Sequence, residues 1–347
     1  MNKSLILPKE QFFCGGILNV VVPSLRAFVK IIQDNANLKG WLFRGQYSAD
    51  WELESSLQRG LPKNETSFGS SHLEKFKTYS RGIIKHDQFS YNNDDEIWAI
   101  GQHNGLKTPL LDWTASPLVA LFFAFEEEGL IIKRKSKVLD KKLAEYLKKK
   151  SLSQKDFRSV YFLDANKCNN IFYKLIGKDF LSRNGNNYSD VNFVDAHEEL
   201  GGDPEEFIGR NIELMLKSGK NIDQKDHMNL RQSFVTGESL FLRILSPLSG
   251  ENKRLLSQRG IFTKTYYPGS IDSLVKKKYK DDNLLIKVFL PNKIRAEAIP
   301  FLDSANINHM SLFPDLYGAA KYTNAKIMKN DSASKKDSFY ESLRSLF

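Results

Sequence analysis

"GQHNGLKTPLLDWTASPLVALFFAFEEEG", residues 101–129, places a strand and a helix in immediate succession. Leu110 and Leu111 enter a short run that ends at Asp112-Trp113-Thr114. Ser116-Pro117 is then a helix start, with proline at the first helical position. Leu118, Ala120, Leu121, Phe122, Ala124 and Phe125 leave the helix almost no polar face, so it is predicted to be buried. Thr114 and Ser116 stand at the corner between the two elements, where free backbone N–H groups receive an anion. Plain N-capping is the other role open to both hydroxyls. Upstream, "DDEIWAIGQHNG" (94–105) reads as a helix stopped by Asn104-Gly105.

An earlier stretch poses a second question. In "NLKGWLFRGQYSADWELESSLQRG" (37–60), Arg44 ends the apolar run Trp41-Leu42-Phe43 and Gly45 follows it. The run, bounded by Gly40 and Gly45, reads as a short strand followed by a polar loop to about residue 70. Arginine is seldom buried without a partner, so Arg44 is either one half of an ion pair or a clamp for an anion. Gly45 would let a ligand or another backbone approach closely.

The rest of the chain mixes elements without strict alternation. A helix is predicted from Ser24, with Leu25, Phe28, Ile31 and Ile32 inward, and another over 70–86, capped by Ser70 or Ser71. Residues 159–166 and 284–291 read as strands, and 170–235 as mixed, helical around "DPEEFIGRNIELMLKSG". Residues 239–247 fit a strand or a helix end. Residues 252–270 read as a strand entry, a bend at Gly260 and a second β run, and 311–323 lead into a final helix. The fold class is therefore α+β.

With 347 residues, 41% hydrophobic and 27% charged, the chain has the composition of a globular protein with a large core. No apolar run approaches the ~20 residues needed to cross a bilayer, and the first residues make no signal peptide, so a cytoplasmic protein is expected. Cys14 and Cys168 suit neither a disulfide framework nor a metal site. The net charge of +10 is concentrated in "KRKSKVLDKKLAEYLKKK" (133–150), a short helix with basic ends. It is either a solvated surface helix or a contact for phosphate backbones. The tail from about 331 begins polar and ends amphipathic, suiting a docking helix.

Loops of the types GxxxxGK[ST], GxGxxG, HExxH and GxSxG are absent. The six histidines lack metal-ligand spacings, and His197-Glu198-Glu199 reads as a charge cluster. What remains is Arg44, His103 beside a glycine turn, the Asp112-Trp113-Thr114 corner, and Gln258 before Gly260. A strand arginine, aromatics and hydroxyls at helix starts suit a nucleotide-like ligand with a diphosphate and a flat ring.

These residues resemble the FRG-domain family, named for the tripeptide present as Phe43-Arg44-Gly45. Its middle signature matches Gln102-His103-Asn104-Gly105, Thr108, Leu110 to Thr114, Pro117 and Ala120 to Ala124. Later elements match Arg254, Gln258, Gly260 and Phe262, and then Leu312 to Leu316 with Gly318. The resemblance spans 37–323 and implies one elaborated domain over 1–330, with insertions at about 128–157 and 168–240, and a separate tail over 331–347. The order of elements is also similar to that of ADP-ribosyltransferases, which place an arginine in an early strand, a Ser-Thr-Ser strand end before an apolar helix, and a glutamate in a late strand.

That likeness implies a split β-sheet core with peripheral helices and transfer of ADP-ribose from NAD, without a metal, to a macromolecule. The basic charge of 133–150 points to DNA or RNA as acceptor, and the family likeness implies a toxin or anti-phage setting with a protein partner such as an antitoxin and no membrane. NAD glycohydrolysis and a non-catalytic nucleotide- or nucleic-acid-binding module are the alternatives. By the resemblance, Arg44 clamps the diphosphate and Trp113 stacks on or walls the ring. Asp112 or Gln258 holds the ribose, and His103 bonds a ribose hydroxyl or orients Asp112. Thr114 and Ser116 add contacts at the corner. Gln258 stands where the family glutamate is expected, so Asp112 and Asp315 are the candidate carboxylates.

Overall fold

The computed structural model describes residues 5–35, 38–60, 68–83, 93–127, 141–150, 156–184, 204–246, 253–279 and 284–327. Among them, eight strands form one sheet: β1 (Gln11–Cys14), β2 (Ile17–Val21), β3 (Trp41–Gln46), β4 (Leu110–Thr114), β5 (Phe157–Asp164), β6 (Arg243–Leu245), β7 (Gly260–Lys264) and β8 (Leu285–Pro291). Their order is β1-β2-β8-β5-β3-β4-β7-β6, with β2 and β8 parallel and every other pair antiparallel. The helices are α1 (Leu25–Asp34), α2 (Ser56–Gly60), α3 (Phe68–Ser80), α4 (Asp94–His103), α5 (Pro117–Phe125), α6 (Lys141–Lys149) and α7 (Ala165–Asn184). They continue with α8 (Pro204–Lys217), α9 (Gln224–Leu240), α10 (Lys253–Ser257), α11 (Ile271–Lys278), α12 (Arg295–Ser304), α13 (His309–Leu312) and α14 over residues 316–327. The architecture is α+β. No helix among the described residues is long and apolar enough to cross a membrane.

The sheet is nearly divided. β3 pairs along its length with β5, and β4 along its length with β7, yet β3 and β4 meet only at Phe43 and Thr114. Beyond that bridge the two strands part, and residues that follow Phe43 in the chain can reach into the gap.

Strand alternation assigns the faces. Phe43, Val160, Phe162, Ile286, Val288 and Leu290 point to the face covered by α1, α5 and α12. Leu42, Tyr161, Leu163 and Leu285 point the other way, towards α7 and α11. α6 lies on the second face, where Leu143 and Leu147 pack with Val21, Ala49, Phe157 and Phe289. α7, α8 and α9 share a core of their own around Phe172, Phe180, Met215 and Phe234, within the stretch expected as the second insertion. The apolar α5 is buried as its sequence predicts.

Some local expectations need correction. β1 is a strand that no alternation in the first residues announces. α3 starts at Phe68, so Ser70 and Ser71 lie inside it rather than capping it. The strand entry expected at 252 is the helical turn α10, and β7 starts at Gly260 itself. Short apolar runs such as Leu255-Leu256 do not separate helix from strand by periodicity. Residues 133–140, His197 to Glu199 and the tail 331–347 lie outside the described residues.

Candidate functional site

Where β3 and β4 part, a cleft of about 680 Å³ opens, a size typical of small-molecule sites. Arg44, Asp112, Trp113, Thr114 and Gln258 line it, so five of the residues singled out in sequence, carried by β3, β4 and the entry to β7, share one cavity.

Arg44 follows Phe43 past the bridge and turns into the gap. Its Nη1 donates to the Asp112 carbonyl at 2.5 Å and stands 3.8 Å from the Asp112 carboxylate. The side chain is 22% exposed, whereas the Asp112 side chain is 63% exposed. This is a loose ion pair held by a backbone contact, not a closed buried salt bridge. Arg44 Nε is buried without a hydrogen-bond partner among the described residues. Burial, helped by the nearby Arg59, holds the guanidinium pKa below its ordinary value despite Asp112. The group stays charged at neutral pH, so the cation is under-compensated, as suits a site for an added anion.

The signature around Asp112 orients that carboxylate. Gln102 Nε2 donates to Asp112 Oδ1 at 2.7 Å, and the Thr108 hydroxyl donates to Gln102 Oε1, fixing the amide's orientation. The glycine at 105 has φ +87, the left-handed conformation that ends α4 and returns the chain towards β4. His103 is exposed at the last position of α4 and does not line the cleft. The orienting role expected of His103 therefore belongs to its neighbour Gln102. One residue along a helix is a rotation of about 100°, and it is Gln102 that faces β4.

Other expected roles move as well. The Trp113 indole is only 3% exposed, and its N–H donates to the Thr263 hydroxyl at 2.9 Å, so of its two expected roles Trp113 fits a wall of the cleft and not a stacking face. The Thr114 hydroxyl donates to the Gln258 carbonyl and accepts from Ser116 N–H. Ser116 is outside the cleft lining and caps α5 by accepting from Val119 N–H. Both hydroxyls are thus engaged within the protein. The Gln258 amide donates to the Leu312 carbonyl at 3.0 Å. Asp315 accepts from Arg254 Nε at 2.5 Å, away from the cleft, and Arg254 lies over the rings of Phe313 and Tyr317. The late sequence elements therefore clasp each other and hold β7 to the C-terminal helices.

The cleft also contains residues that no sequence motif marks: Tyr47, Trp51, Glu52, Glu54 and Arg59, with Glu126 at the C-cap of α5, beside Phe123 of the signature. Most belong to the loop after Arg44, whose polar composition gives no periodicity to read. Their one visible signal is aromatic residues in an otherwise polar segment. Among the described residues, no group of three His, Cys, Asp or Glu side chains is arranged to hold a metal ion.

Residues 39–130 match the family model of the FRG domain. The match contains Arg44, Gly45, Gln102, Thr108, Asp112 and Thr114, but not the clasp formed by Arg254, Gln258 and Asp315. No curated protein matches the chain, and no solved structure does.

Proposed function

We propose that this chain, whose FRG domain supplies most of the cleft wall, is an NAD-dependent ADP-ribosyltransferase. The observation that carries the reading is the under-compensated Arg44 guanidinium in the sheet's gap, facing a carboxylate that Gln102 and Thr108 hold in place. A planar fork beside a cavity of this size suits a diphosphate. Asp112 suits the electron-poor side of the reaction. The bond between ribose C1′ and nicotinamide breaks with its electron pair leaving on nicotinamide, and positive, oxocarbenium-like charge develops on the ribose. A fixed anion stabilises that charge. An acceptor nucleophile then bonds to C1′ and gives up its proton, for which a carboxylate is a suitable base. The exposed lysines 148–150 at the end of α6 favour a nucleic-acid acceptor.

One observation favours a second reading. Gln258 is no acid, and its amide is committed to Leu312, so a nucleotide-binding module without chemistry also fits. Purified protein incubated with labelled NAD and DNA, RNA or lysate separates the cases. Free nicotinamide with labelled polymer supports transfer. Free nicotinamide alone indicates hydrolysis. NAD binding with no turnover leaves the binding module.

A further inference from the structure

Tyr47 and Trp51 stand together on the cleft wall, ring centroids 4.2 Å apart and planes at 72°. Neither is buried, yet the loop carrying them is fixed from below by several buried polar groups. Lys287 on β8 is 7% exposed, and its ammonium donates to the carbonyls of Ala49 and Trp51 at 2.8 and 3.4 Å. The Tyr161 hydroxyl reaches the Trp51 carbonyl at 3.2 Å and Asp272 at 3.1 Å. The other oxygen of Asp272 accepts from Leu53 N–H at 2.7 Å. Ala49 N–H donates to the Phe157 carbonyl.

Register places Tyr161 beside both Arg44 and Lys287, so one polar row crosses β3, β5 and β8 from the anion anchor to the base of this loop. Burial lowers the Lys287 pKa, partly offset by Asp272, Asp50 and Glu52. A buried lysine is a costly way to hold a surface loop. A preformed, partly exposed aromatic surface beside a cation is the feature it secures.

We propose that Tyr47 and Trp51 form a shelf that stacks the flat heteroaromatic ring of a nucleotide whose phosphate is held by Arg44. This rests on the nucleotide reading of the cleft and assigns the ring subsite to this pair rather than to the buried Trp113. Adenine and nicotinamide share that chemistry, and two mononucleotides separate them.

The test measures binding of AMP, nicotinamide mononucleotide and inorganic pyrophosphate to the full chain by calorimetry. Wild type is compared with Trp51→Leu, Trp51→Phe and Lys287→Met, with folding followed by circular dichroism. Trp51→Leu is expected to weaken one mononucleotide by about tenfold while pyrophosphate binding is unchanged. Trp51→Phe, which keeps a ring, should retain most of the affinity and remains informative if Trp51→Leu fails to fold. Lys287→Met should weaken the same mononucleotide but not pyrophosphate. Whichever mononucleotide responds names the ring. Equal mononucleotide binding by wild type and Trp51→Leu overturns the shelf but leaves the Arg44 anchor standing. Absence of all binding to wild type overturns the nucleotide reading itself.

Discussion

Gly45 answers to a neighbour's backbone. A Cβ built there would sit 1.9 Å from the Ala120 carbonyl oxygen and 2.5 Å from Ala124 N, both on α5, and neither atom can rotate away. Gly45→Ala should therefore push α5 off β3 and cost about 1–3 kcal/mol or more, read as a lower urea midpoint. An unchanged midpoint would mean that the backbone relaxes freely there. Arg44, one residue earlier, behaves differently because its side chain is in the gap and has few partners. Arg44→Lys should melt near the wild-type temperature while nicotinamide release falls by on the order of 10–100-fold, since an ammonium cannot reproduce the fork. A folded Arg44→Lys protein with full activity would remove the anchor. Parallel loss of stability and activity would make Arg44 structural.

Among the elements, α5 connects core to site. It packs its apolar surface on the sheet, and its Phe123 and the Glu126 that caps it line the cleft. Its last carbonyls are satisfied by two arginines. Arg158 donates to the Ala124 and Glu127 carbonyls at 2.7 and 3.0 Å, and Arg295 to those of Phe125 and Glu126 at 2.9 and 3.2 Å. Arg158 is 4% exposed, so Arg158→Met should leave buried acceptors unsatisfied and destabilise the fold by about 1–3 kcal/mol in denaturant unfolding. α6 has the opposite character, with two leucines inward and Lys148, Lys149 and Lys150 exposed. If those lysines meet phosphates, Lys→Gln at all three should weaken nucleic-acid binding for every sequence alike. The slope of log affinity against log salt should flatten by roughly one unit for each phosphate no longer neutralised. An unchanged slope would make α6 a solvated surface helix.

Across the whole molecule, one buried charge network ties distant parts of the chain. Arg243 on β6 pairs with Asp95 at 2.7 Å and Glu238 at 2.5 Å, and Lys264 on β7 with the same two acids at 2.8 and 3.2 Å. Burial alone would raise the Asp95 pKa, but the two cations outweigh it and hold the carboxyl well below the usual range. Lys264 is held above its ordinary value, because its two acids outweigh its burial. Below about pH 4 the unfolded chain therefore takes up a proton that folded Asp95 resists. The carboxylate's contribution is complete above that pH and drains away as pH falls towards the folded value. The lysine's contribution is complete below about pH 10 and is lost as pH rises through its folded value. Stability should form a plateau between these limits. Asp95→Asn should lower it by about 3–5 kcal/mol and flatten the acid limb in pH-dependent urea melts. A variant whose acid limb matches wild type would place the acid sensitivity elsewhere.

Features that depend on neighbours along the chain are readable without the fold. The buried character of α5 followed from its unbroken apolar run, its start from Ser116-Pro117, and the stop of α4 from Asn104-Gly105. Arg44, Asp112 and Gln258 also stood out, because polar residues beside apolar runs are informative wherever they occur. How those residues are used follows from the assembled fold. Which face Trp113 presents, whether Gln102 or His103 meets Asp112, and that Gln258 and Asp315 hold the C-terminal helices all depend on strand pairing and helix rotation between distant segments. The loop bearing Tyr47 and Trp51 is the clearest case. Its place in the cleft is set by Tyr161, Asp272 and Lys287, more than a hundred residues away, and no local pattern encodes an arrangement made across three strands.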